Sequence, residues 1–330
     1  MLDLSLIEKE MFVENLIENI KKLFADEKLE LLIGYEKGTL PLRATPCFVE
    51  AIDDVGKLIF DFTCHNSLAK FLSDERKRKD GGRKVGIVAK GCDARAIVQM
   101  IVELQYEREK VVIIGVPCEG VIDPNKLRSV LNGKEITCYE INGNKAKLIG
   151  KGFELELDKK ELMSDSCPGC KYPNAPQSDC FIGEKAKPLG IKDEYAAVNE
   201  FEQKPADERW AYFEKEYSKC VRCYACRNAC PMCYCAECFV DCSMPQWLGK
   251  GNDLSDTMIF HLVRALHTAG RCVDCGACAA ACPMNINIRL LGKRIEKEVA
   301  ERYGFTAGLD FETLPALATF DEKDKEEFIM

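Results

Sequence analysis

The sequence predicts an α/β amino-terminal domain, its sheet mixed and partly parallel, followed by a cysteine-rich α-helical domain. Three observations carry that prediction. A strand, short loop, helix, strand pattern occupies residues 84–116. Cysteine is unevenly spread, with five of the 20 in residues 1–160 and fifteen in 161–330. One cysteine pattern ending in proline occurs twice in the second half, at residues 220–231 and 272–283. The boundary is expected near residue 190, giving domains 1–190 and 191–330.

Length and composition bound the answer first. A chain of 330 residues has room for two ordinary domains, and 47% hydrophobic residues suffice for packed cores. Its 46 basic and 54 acidic side chains leave a net charge of −8. That speaks against a nucleic-acid partner, which needs a concentrated positive field. No apolar stretch approaches the ~18 residues of a membrane span. The N-terminal segment is acidic and amphipathic, unlike a basic-then-apolar export signal, so a cytoplasmic location is expected. In that setting cysteines point to thiolate ligation rather than disulfides.

The elements follow in order. Leu6, Ile7, Met11, Phe12, Leu16, Ile17, Ile20 and Phe24 recur at helical spacing. Four β-rich runs follow, Leu31–Tyr35, Lys57–Phe62, Lys84–Val88 and Val111–Val116. Between the last two, Ile97, Val98, Ile101, Val102 and Leu104 mark a helix over Asp93–Glu107. This βαβ unit implies parallel strands with a right-handed crossover. Ile136–Ile141, Lys145–Ile149 and Phe153–Leu157, separated by Asn-Gly and Lys-Gly, predict an antiparallel meander. A polar stretch over 164–192 leads to helices at Glu194–Gln203, Pro205–Ser218 and Leu254–Thr268, and the chain closes on a solvated acidic tail, Asp321–Phe328. No GxGxxG follows a strand and no GxxxxGK[ST] occurs, so neither familiar nucleotide loop is present. Of His65, His261 and His267, the last two sit in a helical pattern and are expected to be satisfied structural residues.

The repeated pattern, CVRCYACRNACP and CVDCGACAAACP, is CxxCxxCxxxCP, the run of bacterial two-cluster ferredoxins. Three thiolates on one tight loop can take three corners of a cubane, while the fourth, pointing away, is better placed for the other cluster. Cys220, Cys223, Cys226 and Cys282 are therefore assigned to one [4Fe–4S] centre, and Cys272, Cys275, Cys278 and Cys230 to a second. Zinc, which closes one tetrahedron with paired CxxC motifs, fits two such quartets poorly. Cys233, Cys235, Cys238 and Cys242 follow the first repeat; an additional cluster or zinc site and a packing role stand equal for them.

A third [4Fe–4S] centre is expected from Cys92, Cys118, Cys167 and Cys170, with Cys180 in reserve. Cys92 and Cys118 follow neighbouring parallel strands, at whose carboxyl ends α/β folds place ligands. Cys167-Pro-Gly-Cys170 forms a turn that needs thiols from elsewhere. The bland alternative makes Cys92 and Cys118 buried small residues. Cys47, Cys64 and Cys138 are expected in the core. The turn Ala89–Cys92, opening a helix, is a candidate for receiving a phosphate.

Two resemblances attach to these motifs. The dicluster repeats, separated by a helix, resemble the α-helical ferredoxin module of succinate dehydrogenase and heterodisulfide reductase iron–sulfur subunits, over about residues 205–300. KGCDARAIVQMI (90–101), IIGVPCEG (113–120) and CPGCKYPNAPQSDCFIGE (167–184) resemble the beta-subunit family of deazaflavin-dependent hydrogenases and formate dehydrogenases. In that likeness Cys92, Cys118, Cys167 and Cys170 match cluster-like cysteines. Asp179 and Gly183 match a D-x-x-x-G ending, which puts Cys180 at an ordinarily apolar position.

The family consists of electron-transfer subunits of larger complexes, many carrying FAD, so the resemblance implies partner subunits and FAD beside the clusters. The C-terminal position of the dicluster module is more like the formate dehydrogenase subunits. It is also similar to the flavin-free beta subunits of sulfhydrogenases and sulfite reductases, and the two implications differ on FAD. The expected function is an iron–sulfur electron-transfer subunit of an anaerobic oxidoreductase complex, with no nucleic acid and no membrane span. A flavin-free carrier is the alternative, and a zinc-binding scaffold the remote one. Trp247, Arg264 and Arg271 are candidates for tuning or docking, a structural role being as open for each.

Overall fold

A computed structural model describes residues 4–75, 82–189 and 193–319. The acidic tail Asp321–Phe328 lies outside the described residues. The chain opens with helix α1 (Leu4–Ala25), then strands β1 (Leu31–Lys37) and β2 (Ala44–Val49) and the single-turn helix α2 (Leu72–Glu75). Next come β3 (Val85–Ala89), α3 (Gly91–Val102), β4 (Val111–Gly115) and α4 (Pro124–Leu131). The meander is β5 (Ile136–Asn142), β6 (Lys145–Gly150) and β7 (Phe153–Asp158), followed by the short α5 (Lys159–Leu162) and β8 (Cys180–Phe181). The remainder is helical: α6 (Ala196–Glu202), α7 (Ala206–Tyr217), α8 (Ala225–Asn228), α9 (Leu254–His267), α10 (Ala277–Ala280) and α11 (Ile288–Tyr303).

The main sheet has the order β2-β1-β3-β4-β8. Only β1–β2 is antiparallel; β1–β3, β3–β4 and β4–β8 are parallel, with Ile87 opposite Ile113. All of Val85–Ala89 is buried, the continuous apolar run that a parallel strand covered on both faces requires. The mixed, partly parallel sheet is thus as the sequence predicts.

Two local expectations are corrected. Lys57–Phe62 forms no strand; it begins where a 3₁₀ turn, Ile52–Lys57, ends, and its backbone meets the sheet at a Glu36–Leu58 bridge. On one side β1 pairs with β2, a strand the sequence did not suggest, whose Pro46 lies opposite Tyr35. An edge strand tolerates a proline because one row of its N–H groups faces no neighbour. Helix α3 stops at Val102, five residues before the expected Glu107, because Leu104 takes a left-handed φ of 56° and turns the side chain into solvent.

The antiparallel sheet β5-β6-β7 buries Ala146 and Leu148 against Leu42, Phe62 and Leu127. Helix α4 beneath it starts on Pro124, and Asp123 accepts a hydrogen bond from the Asn125 N–H at 2.8 Å. Asp123→Ala leaves that N–H uncapped and is expected to destabilise the fold by about 1 kcal/mol, read by denaturant unfolding.

The helical region has its own core around Tyr217, Phe260, Ile286 and Ile288. It is also packed onto the sheet: Met232, Tyr234, Val273, Val299, Phe305 and Ala307 join the core of β1, β3 and β4. Polar contacts reinforce this. Asn125 Nδ2 donates to the Ala279 and Cys282 carbonyls at 3.0 and 3.2 Å, and Arg271 pairs with Glu103 at 2.6 Å. Among the described residues no helix is long and apolar enough to cross a membrane.

Candidate metal centres

At the carboxyl ends of β3 and β4 the structure opens a cavity of about 800 Å³, counted with its mouth. Cys92, Cys118, Cys167 and Cys170 all line it, together with Lys90, Arg95 and Cys275. Cys92 stands there because β3 leads directly into α3. The start of α3 is fixed by a buried network in which Lys90 Nζ pairs with Asp93 at 2.7 Å and donates to the Asn66 carbonyl at 3.0 Å and to the Tyr35 hydroxyl. Asp93 in turn accepts from Ser67 Oγ at 2.8 Å and the Leu68 N–H at 3.0 Å. A Cβ on Gly91 would stand 1.8 Å from the Tyr172 carbonyl oxygen, so only glycine lets the 172–174 backbone lie against this turn. The Val121 N–H approaches Cys167 Sγ at 3.4 Å.

A second cavity, of about 670 Å³, is lined by Cys230, Cys272, Cys275 and Cys278. Cys230 therefore faces the three thiols of the other repeat. The remaining quartet lies beside it: Cys220, Cys226 and Cys282 share the helical core, and the exposed Cys223 is close enough to perturb Cys220 electrostatically. Val273, Asp274, Cys275 and Lys293 line both cavities, and Cys226 senses the charge on Cys278. The three groups of thiols thus form a continuous series.

The two repeats fold alike. Arg222 and Tyr224 have φ of 51° and 59°, and at the corresponding positions Asp274 and Gly276 have 52° and 76°. The Arg222 N–H reaches Cys220 Sγ at 3.4 Å, and the Asp274 N–H reaches Cys272 Sγ at 3.4 Å. Three non-glycine residues in the left-handed region mark backbone held against its preference, here to aim N–H groups at sulfur. A single turn, α8 or α10, follows each loop and carries the third cysteine.

Burial and two cationic side chains set the electrostatics of these sites. Burial pushes the thiols of Cys92, Cys167, Cys170, Cys272 and Cys278 up, and that of Cys118 up to about 12. Unliganded, they hold their protons, and a metal must displace them. Two buried guanidiniums face the cavities. Arg95 donates to the Ala307 and Val273 carbonyls at 3.0 and 3.2 Å and lies 4.4 Å from the Tyr172 ring, yet its Nη2 has no partner. Arg264 donates to the Cys226 carbonyl at 3.2 Å, and its Nε has none. Burial disfavours its charge, while the neighbouring Cys278, Cys230, Cys233 and Cys226 favour it, Cys278 also through a side-chain hydrogen bond. Among the described residues no three His, Cys, Asp or Glu side chains converge on a single metal ion. The thiols surround volumes instead, which suits a polynuclear group.

The other candidates are placed as follows. Cys233 meets the Cys230 thiol, which holds its proton less tightly as a result. Cys235 is exposed, and Cys242 donates from Sγ to the Cys238 carbonyl at 3.6 Å; neither they nor Cys238 line either of these two cavities. Cys180, on β8, lies outside both cavities. Cys47 and Cys64 are core residues, whereas Cys138 is exposed on β5, against expectation. His261 is buried, but neither ring nitrogen has a hydrogen-bond partner, so it is not the satisfied histidine expected. Trp247 is exposed, and Arg271 ties α3 to the helical region. Lys90, Arg95 and Asn125 escape sequence reasoning, though the first two sit within KGCDAR.

Residues 82–233 match a family model that describes the carboxyl terminus of the coenzyme F420 hydrogenase/dehydrogenase beta chain. The chain is 24% identical to the F420-dependent formate dehydrogenase subunit beta of Methanocaldococcus jannaschii, across 90% of this chain and 92% of that one. It is likewise 24% identical to F420-dependent formate dehydrogenase 1 subunit beta of Methanococcus maripaludis, across 87% and 88%. A solved chain of the F420-reducing [NiFe] hydrogenase complex from Methanosarcina barkeri aligns at a TM-score of 0.37 and 16% identity, covering 49% of this chain and 62% of that one. The resemblance drawn from residues 90–184 is thus met again over nearly the whole chain.

Proposed function

With residues 82–233 matching the beta subunits of coenzyme F420 hydrogenases and dehydrogenases, we propose that this chain is the iron–sulfur electron-transfer subunit of such an oxidoreductase complex. One observation carries the proposal: Cys230 lines the cavity of Cys272, Cys275 and Cys278, 42 or more residues away, while Cys282 lies with Cys220 and Cys226. Crossed fourth ligands belong to two-cluster ferredoxins and not to paired zinc knuckles.

In this proposal Cys220, Cys223, Cys226 and Cys282 hold one [4Fe–4S] centre in an α-helical dicluster module, and Cys272, Cys275, Cys278 and Cys230 hold a second. Cys92, Cys118, Cys167 and Cys170 hold a third within the α/β part. Such centres, when bound, supply one-electron transfer at potentials between about −700 and +450 mV. The protein's own part is to space them in series, exclude water and place Arg95 and Arg264 against anionic groups. Partner subunits supply the donor and acceptor, in the cytoplasm of an anaerobe. The F420-dependent formate dehydrogenase relatives favour formate and a deazaflavin as the complex's substrates.

Anaerobically prepared protein is expected to hold about twelve iron and twelve sulfide per chain, as three four-iron centres require. It should be brown and bleach on reduction. Colourless protein holding zinc would overturn the proposal. Flavin extracted at about one per chain would place the two-electron site in this subunit; none after reconstitution would assign it to a partner.

A further inference from the structure

Two side chains on one face of α9 are turned into the second cavity with buried nitrogens that lack a hydrogen-bond partner. His261 is 3% exposed, stacked on Tyr217 at 4.3 Å and 14° and tilted against Phe260 at 4.9 Å. Neither ring nitrogen has a hydrogen-bond partner, and the residue lines the cavity of Cys230, Cys272, Cys275 and Cys278. Arg264, three residues on and 8% exposed, lines the same cavity with its Nε unpartnered. The groups that act most strongly on its charge are four cysteines, and the Cys278 thiol is hydrogen-bonded to it.

An imidazole carries at least one N–H donor in either protonation state, and a guanidinium carries five. Buried donors in native proteins are satisfied with few exceptions, and each exception asks for a cause. The cavity holds space where an acceptor belongs, and sulfur is what its walls are built to present.

We propose that His261 and Arg264 donate hydrogen bonds to the sulfurs of the centre held by Cys230, Cys272, Cys275 and Cys278, and thereby raise its reduction potential. The assignment rests on the iron–sulfur function above and adds to it the residues that set one centre's place in the series. Donors and positive charge favour the reduced, more negative form of a cluster, and outer-shell contacts tune metal centres in this way. His261 and Arg264 act through the cysteines and sulfides and are positioning residues.

The test uses the full chain, purified anaerobically, with iron analysis and EPR-monitored redox titration. In His261→Leu, iron content is expected to be unchanged. One centre alone should become about tenfold harder to reduce, a lowering of about 59 mV for a one-electron couple. Arg264→Lys, which keeps the charge but loses the fork, should lower the same centre by less. In the unsubstituted protein labelled with ¹⁵N-histidine, pulsed EPR should show an isotope-sensitive nitrogen coupling on that centre.

A loaded His261→Leu protein with all midpoints unmoved would overturn the proposal. If His261→Leu fails to hold iron, the labelled unsubstituted protein decides: a histidine coupling supports the assignment and its absence overturns it. An iron-free unsubstituted protein would instead overturn the electron-transfer function on which the assignment rests.

Discussion

Alanine at Cys230 is expected to abolish the same EPR signal as alanine at Cys275, and alanine at Cys282 the same signal as alanine at Cys220. Iron should fall from about twelve to about eight per chain in each variant, since a four-iron centre lacking a thiolate corner is lost as a unit. In the proposed pairing the third cysteine of each repeat lies on α8 or α10 and the fourth follows that turn. Cys230 there lines the cavity of Cys272, Cys275 and Cys278. If each repeat closed its own quartet, Cys230→Ala would share its loss with Cys220→Ala instead, and the series of sites would need redrawing.

Gly91→Ala is expected to cost about 3 kcal/mol of stability, together with the third centre. Its methyl group would stand 1.8 Å from the Tyr172 carbonyl oxygen and 2.8 Å from that of Asn174. Both are backbone atoms that cannot rotate away, so the 172–174 strand of chain must lift. That segment carries the turn of Cys167 and Cys170, and Gly91 precedes Cys92, so the damage reaches three of the four thiols. Gly133→Ala is the control, with a φ of 84° and nothing within 4 Å of the added carbon, and should cost about 1 kcal/mol through backbone strain alone. Thermal unfolding and iron analysis of both variants check the difference; equal losses would show that the close approach is not what matters.

The βαβ core was legible because Val85–Ala89 and Val111–Gly115 are apolar runs flanking a helical period, a pattern with few alternatives. The meander was legible from its turns. What escaped has physical causes. Pro46 disguised β2, since sequence alone does not say that a strand lies at an edge. Two residues, Cys180 and Phe181, are too few for β8 to show a period. The exposed Cys138 sits in a strand whose faces alternate irregularly, so its side could not be read. In the site, thiols announced themselves through spacing, which made the facing of Cys230 and Cys272 foreseeable. The cations did not. Arg95 finds its acceptor 212 residues away, at Ala307, and an unpartnered His261 looks like any other helical histidine until the cavity beside it is visible.

The long-range closure through Arg95 bears on how the molecule matures. Cys92, Cys118, Cys167 and Cys170 leave the ribosome well before Val273, Cys275 and Lys293, which complete the wall of the same chamber. The chamber is therefore finished only once the helical segment has been made and docked, a step that Gln177 secures by donating to the Leu309 carbonyl at 3.1 Å. Any group that these four early thiols bind gains its last wall from the final third of the chain.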